Sequence, residues 1–391
     1  EVADVSRDSV VAAMRRMLPD GVARDPAVTY HPAMATEPLQ VSADPGGEMV
    51  GEVRLHLRVG DRDFACFVRA SEPVLTARTD ALVPFALYPA MASGVDVGLE
   101  GDVSERLLAA IPAIGALVAP WTPGLRPTRF VNLRPVARRR RAPGRVGAFF
   151  SGGVDAAYSF LEHRDEVTDL IFIHGFDIPL EDVDMLQRMR DGIEAMAAPF
   201  GVNVIHVETS MRAVQEAFVD WGLHGHGATL ATIGHLLAPA FERLYIASSV
   251  HLDDKMPWGT HSDLDPLWSS ELIAFVHDAT DARRIDKVRA LAEFDALTQN
   301  LRVCHWMGRS SFQPGGPANC GHCEKCVRTM ISLEAAGKLA GCHAFAQPLD
   351  SRRVRELKAV FKIRPFFVEN LEALRESGAR PDVQRALEAC L

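Results

Sequence analysis

No stretch of about 18 consecutive apolar residues occurs in the 391-residue chain, so no membrane-spanning helix is expected, and no secretory leader pattern is found. Basic charge is in deficit: 42 Lys and Arg against 51 Asp and Glu leave a net charge of −9. That balance argues against a general nucleic-acid surface, because neutralising phosphates requires a basic footprint. Two nucleotide signatures are missing. There is no GxxxxGK[ST], hence no lysine-bearing phosphate loop, and no GxGxxG followed by a ribose-binding acid. Cysteine is scarce and odd in number, at seven, with four of them between residues 304 and 326. Crowding of that kind points to a metal in a reduced, cytoplasmic compartment rather than to a disulfide framework. Cys66, Cys342 and Cys390 stand alone and read as packing residues.

What is present is enough apolar residue for a large core, 48% of the chain with mean hydropathy near zero. The length exceeds one ordinary domain. Residues 1–144 read as an α+β accessory domain: a helix over 5–18 and a Pro-rich connection to residue 45, two alternating strands in EVRLHLRVGDRDFACFVRA, and a helical stretch SERLLAAIPAIGALVAPW interrupted by Pro112. From residue 145 the rhythm becomes strand–helix–strand. VGAFF, DLIFIHGF, VNVIHVET and LYIASS alternate with helical segments, which predicts a doubly wound parallel α/β sheet over 145–300. Ligands on such sheets bind outside the carboxyl ends of the strands, so SGGVD, HGFD, ETS and SSVHLDDK are the loops to watch. Residues 301–391 carry the cysteines and a helical tail. The run RPVARRRRAPGR is a solvated linker or a contact for an anionic partner.

In GAFFSGGVDAAYSF a strand ends at Phe150 and a helix starts near Val154. Ser151, Gly152 and Gly153 between them suit an anion, since glycine lets backbone approach a ligand and a helix start offers unpaired N–H donors. Asp155 repels bare phosphate, so it either holds a Mg²⁺ or caps the helix. Downstream, Cys304, Cys320, Cys323 and Cys326 have spacing that converges on a tetrahedral site. Four thiolates suit a closed, structural Zn²⁺; an iron–sulfur cluster is the rival, and His305 or His322 could replace a ligand.

The SGGVDA loop after an apolar strand resembles the pyrophosphatase loop of the adenine nucleotide alpha-hydrolase (HUP, or PP-loop) superfamily, with Ala156 where that family has serine. Together with the late cysteine cluster, residues 146–340 look like a divergent, extended relative of the 7-cyano-7-deazaguanine synthase family. The resemblance implies ATP, Mg²⁺ and Zn²⁺ as cofactors and adenylation of a small carboxylate such as a deazaguanine carboxylate, with pyrophosphate release. An amine or ammonia would then be captured as an amide or nitrile, or the group conjugated to a partner protein. It also implies nucleotide contacts along Ala148, Phe149, Phe150, Ser151, Gly152, Gly153, Val154, Asp155 and Ala156, and at His174. A homo-oligomer is expected.

Ser151 and Asp155 are read as catalytic, with Lys255 stabilising charge in the transition state. Substrate contacts are expected from His224 and His226 at a helix start, and from Ser248, Asp263, Asp265 and Trp268 in the long loop after LYIASS. The plainer readings are a histidine cap and a solvated loop. For Arg328 the choices are a salt bridge or a phosphate contact. Two other functions compete with the ligase: a sulfur transferase, which needs a reactive low-pKa thiol, and a non-catalytic ATP-binding scaffold.

Overall fold

Alternation of apolar and polar residues builds the first strands. The computed structural model describes residues 37–45, 51–140, 142–304, 317–357 and 363–391; the helix expected over 5–18 and His305 lie outside them. Strand β1 (Leu39–Pro45) pairs antiparallel with β2 (Glu52–Val59), and β2 with β3 (Arg62–Ala70) across a two-residue turn. Gly60 sits in that turn at φ 56°, a left-handed value that favours glycine. Helix α1 (Thr79–Ser93) is apolar on nearly every side and buried accordingly. Strand β4 (Val97–Ser104), helix α2 (Glu105–Val118) and edge strand β5 (Phe130–Val136) complete this half. Helix α2 runs unbroken through Pro112, where the sequence suggested an interruption.

The second half is the expected alternation: β6 (Arg145–Phe149), α3 (Val154–Glu162), β7 (Asp169–His174), α4 (Val183–Ala197), β8 (Asn203–Thr209), α5 (Met211–Glu216), α6 (His226–Leu237), β9 (Phe241–Ala247) and β10 (Ala274–Asp278). After β10 come α7 (Arg284–Leu291), α8 (Asp295–Gln299), α9 (Glu324–Ala335), α10 (Ser351–Glu356), α11 (Arg364–Ser377) and α12 (Pro381–Cys390). The last four helices share a small apolar core of Val327, Ile331, Phe367, Leu374 and Leu387.

All ten strands form one mostly parallel sheet, ordered β10-β9-β6-β7-β8-β3-β2-β1-β4-β5. It does not stop where the sequence rhythm changes at residue 145. β8 pairs antiparallel with β3, Val68 to Ala70 lying against Thr209 to Val207. One core cluster runs under both halves, from Leu55 and Phe85 to Ile171, Leu244 and Phe275. On the opposite face, Ala148 and Phe150 pack with α3, α4 and the four cysteines. The arginine run is divided: Arg134 and Arg139 are exposed, while Arg138 donates to Asp102 O, Arg140 to the carbonyls of Leu272, Ala238 and Phe241, and Arg145 pairs with Asp169. The physical reason is that carbonyls at helix and loop ends have no ladder or helix partner of their own and take donors from elsewhere.

Within the parallel half the spatial order is β8-β7-β6-β9-β10. The chain first winds outward from β6 to β8 and then crosses back to the other side of β6. The reversal falls between β6 and β9, so the Ser151 turn and the loop from Ser248 flank the crevice where sheets of this kind take ligands.

Candidate functional site

The turn is fixed by its glycines and its neighbours. Gly152 lies at φ 72°, where a side chain would be strained. The Gly153 N–H donates to Ser151 Oγ (3.3 Å), and the Arg302 N–H donates to Gly152 O (2.8 Å). Helix α3 has no side-chain cap, so its first N–H groups face the crevice with the positive end of the helix dipole. Asp155 is therefore not the cap that one reading of the sequence gave it.

Asp155 instead gathers cations. Its Oδ2 accepts from Arg284 Nη1 at 2.5 Å and its Oδ1 lies 3.4 Å from Lys287 Nζ. Lys287, 2% exposed, also donates to Ser248 O at 2.8 Å, tying the loop after β9 to the turn after β6. Burial pushes the Asp155 carboxyl up, but Arg284, Lys287 and Arg328 outweigh that and hold it below the usual carboxylate range. Burial lowers the Arg328 guanidinium to about 10, which leaves it charged at neutral pH. Its ring partner is Phe366, 4.1 Å away on α11, and its ion pair is with Glu324. On the other side of the turn Arg302 reaches Asp177 at 3.4 Å, while Lys325 is within electrostatic reach of Asp177, Arg284 and Arg328. Arg284 Nε and Arg302 Nε and Nη2 are buried without a hydrogen-bond partner. Five cations thus lie around one turn, and with Arg328 Nε four of their buried donor atoms await an acceptor.

Three of those cations are attached to the cysteine centre. Cys304, Cys320, Cys323 and Cys326 are all buried, and their sulfurs lie within 4.8 Å of one another. Sulfur separations of 3.8 Å for Cys320–Cys326 and for Cys304–Cys323 match the ~3.8 Å edge of a tetrahedron with ~2.3 Å metal–sulfur bonds, while Cys323–Cys326 is closer, at 3.3 Å. The group fits a metal such as zinc. Arg302 stands two residues before Cys304, Lys325 sits between Cys323 and Cys326, and Arg328 follows them on α9. Asn319, fully buried, clamps the segment: its Oδ1 accepts from Val303 N and Cys304 N, and its Nδ2 donates to Leu301 O and Ala344 O.

Magnesium fits less well. It needs oxygen ligands in octahedral array, yet both Asp155 oxygens already face Arg284 and Lys287. Among the described residues, the four cysteines are the one convergent group of three or more His, Cys, Asp or Glu.

The other expected residues are scattered around this centre. Ala148, Phe149, Phe150, Val154 and Ala156 are buried in the strand and helix that carry the turn. His174 ends β7 fully buried; its Nε2 meets His206 Nδ1 at 3.4 Å, His206 Nε2 meets Glu194, and burial lowers His174 to about 3, so it is neutral. Lys255 is paired with Asp263 at 2.9 Å. Asp265 and Trp268 are fully buried, Asp265 bound to His277 and Trp268 edge-on to Tyr88. His224 is buried too, its Nε2 against Thr122 Oγ1. His226 bonds Trp221 O from the turn at the head of α6. Ser248 is buried and presents its carbonyl to Lys287.

Arg284, Lys287 and Arg302 were not singled out by the sequence. They lie some 130–150 positions from the turn and in no motif. The available signal was the i, i+3 spacing of Arg284 and Lys287 at the start of the helix that follows the last strand. No protein-family model, curated protein or solved structure matches the chain.

Proposed function

We propose that the chain is an ATP-dependent adenylating enzyme that forms a C–N bond. The observation that carries this reading is the uncapped Ser151–Gly153 turn at the strand reversal, ringed by Arg284, Lys287, Arg302, Lys325 and Arg328. A triphosphate laid on the turn would meet backbone donors first and guanidinium groups next. A carboxylate oxygen of the substrate attacks the α-phosphorus, the bond from that phosphorus to the bridging oxygen breaks, and pyrophosphate leaves with its charge held by the cations. The nitrogen of an amine or ammonia then attacks the acyl carbon; AMP departs, and the amine loses a proton. The protein contributes position and electrostatics. A deazaguanine carboxylate is the first substrate to try, from the resemblance of the turn and the cysteine cluster. A zinc ion would be held by Cys304, Cys320, Cys323 and Cys326 and would supply structure, since four thiolates would leave it no open position.

The thiols favour this reading over sulfur transfer. Outside the cysteine cluster, burial pushes Cys66 up to about 12 and raises Cys342 and Cys390 as well. None has the depressed pKa of a sulfur nucleophile.

Release of pyrophosphate from ATP, measured against a panel of carboxylates and amines, is the test. Carboxylate-dependent release that survives Cys66→Ser, Cys342→Ser and Cys390→Ser in one chain is expected. Tight ATP binding with no release for any carboxylate would make the chain a nucleotide-binding scaffold.

A further inference from the structure

We propose that the Ser151 crevice binds its phosphate ligand without a divalent cation, using Arg284, Lys287, Arg302, Lys325 and Arg328 in its place. The inference rests on the nucleotide reading above and departs from the Mg²⁺ that the resemblance implied.

The argument begins with the carboxylates. A Mg²⁺ at a phosphate site keeps several waters and is anchored by one or two carboxylates. The carboxylates around the turn are engaged by cations: Asp155 by Arg284 and Lys287, Asp177 by Arg302, Glu324 by Arg328, and Asp254 and Glu369, which share a cavity with Arg284 and Lys287, by Arg283. To recruit Asp155, a metal would have to displace Arg284 and Lys287, which are 8% and 2% exposed and have little water to retreat into. A divalent ion there would also stand among five positive side chains. Those side chains already supply what the metal would: charge against the phosphates and fixed donors at the oxygens.

Donor count points the same way. Arg284 Nε, Arg302 Nε and Nη2 and Arg328 Nε are buried without hydrogen-bond partners, against a single such acceptor nearby, Glu324 Oε1, and buried donors are seldom left unmet. Around Asp155 three cations, Arg284, Lys287 and Arg328, meet one carboxylate, so that end of the crevice is positive before any ligand arrives. A polyphosphate completes that balance, whereas a polyphosphate already neutralised by Mg²⁺ does so less well. Asp155 is then a positioning residue that holds Arg284 and Lys287 apart until phosphate oxygens take their free faces.

Calorimetric titration of the full-length, metal-loaded protein with inorganic pyrophosphate and with ATP tests this, in buffer stripped of magnesium by resin so that no chelator reaches the cysteine centre. The expected result is binding without magnesium that is at least as tight as with it, steepening as salt is lowered. Arg302→Met should weaken pyrophosphate binding by about tenfold or more without magnesium; its long side chain is paired only with exposed Asp177, so the fold should survive the change. Arg284→Met is the second probe, with circular dichroism to confirm folding. Binding that appears only when magnesium is added overturns the inference and leaves the nucleotide reading standing. An unchanged affinity in both folded variants also overturns it. Absence of binding with and without magnesium removes both.

Discussion

Asp155 shows how far a single residue's role depends on partners that sequence does not place beside it. From the sequence it was a metal ligand or a helix cap; in the fold its oxygens face Arg284 and Lys287. Ser151, Gly152 and Gly153 were legible because a turn's chemistry is local. Arg284 and Lys287 were not, because their meaning comes from β9 and β10 crossing back beside β6. Asp155→Asn should strand two nearly buried cations and destabilise the protein by about 3 kcal/mol in denaturant titration. The depressed Asp155 carboxyl contributes stability that is present above its unfolded pKa of ~3.9 and is lost as pH falls through the lower folded value. In Asp155→Asn that acid limb should be missing.

Among elements, the turn and the cysteine segment behave as one piece. Arg302 N–H holds Gly152 O while Asn319 holds Val303 and Cys304. Gly152→Ala has room for its methyl, the nearest atoms being 3.6 Å away or more, so its penalty is the left-handed backbone, about 1–2 kcal/mol. A loss of that size in stability, accompanied by weaker pyrophosphate binding, is the expected outcome. Removing the metal should act from the other end. Chelation of the four-cysteine group is expected to lower the melting temperature and to abolish pyrophosphate binding, since Arg302, Lys325 and Arg328 all hang from ligand-bearing segments. A crevice that binds normally after verified metal loss would separate the two. The cysteine spacing was legible from sequence because ligands on tight turns obey a short code. Strands β1, β4, β5 and β10 were not: β1 lies in what reads as a Pro-rich connection, and β4 bulges between Gly98 and Gly101, which spoils the alternation that marks a strand.

For the molecule as a whole, three buried histidines set the response to acid. Burial lowers His174 to about 3, and His224 and His235 to about 4. Each is neutral when folded and takes a proton near pH 6.5 when unfolded, so stability is full above ~7 and falls as pH drops. With three such groups the decline should approach ~4 kcal/mol per pH unit between about 6 and 4. Denaturation midpoints measured across that range check it, and a flat profile would contradict it. The α/β class and the parallel half could be read from strand–helix rhythm alone. That the two halves share one sheet could not, because the β3–β8 pairing joins residues about 140 positions apart and nothing in either strand names its partner.

That seam has a consequence for how the chain is made. β3 leaves the ribosome with its outer edge bare and waits for β8, whose pairing residue Thr209 lies opposite Val68. At about 5–20 residues per second, the interval is roughly 7–28 s. During it the first half carries an open, apolar-backed strand edge, which is what chaperones bind and what neighbouring nascent chains add to. Yield in cells should therefore answer to the speed of translation between residues 70 and 209, independently of how stable the finished protein is.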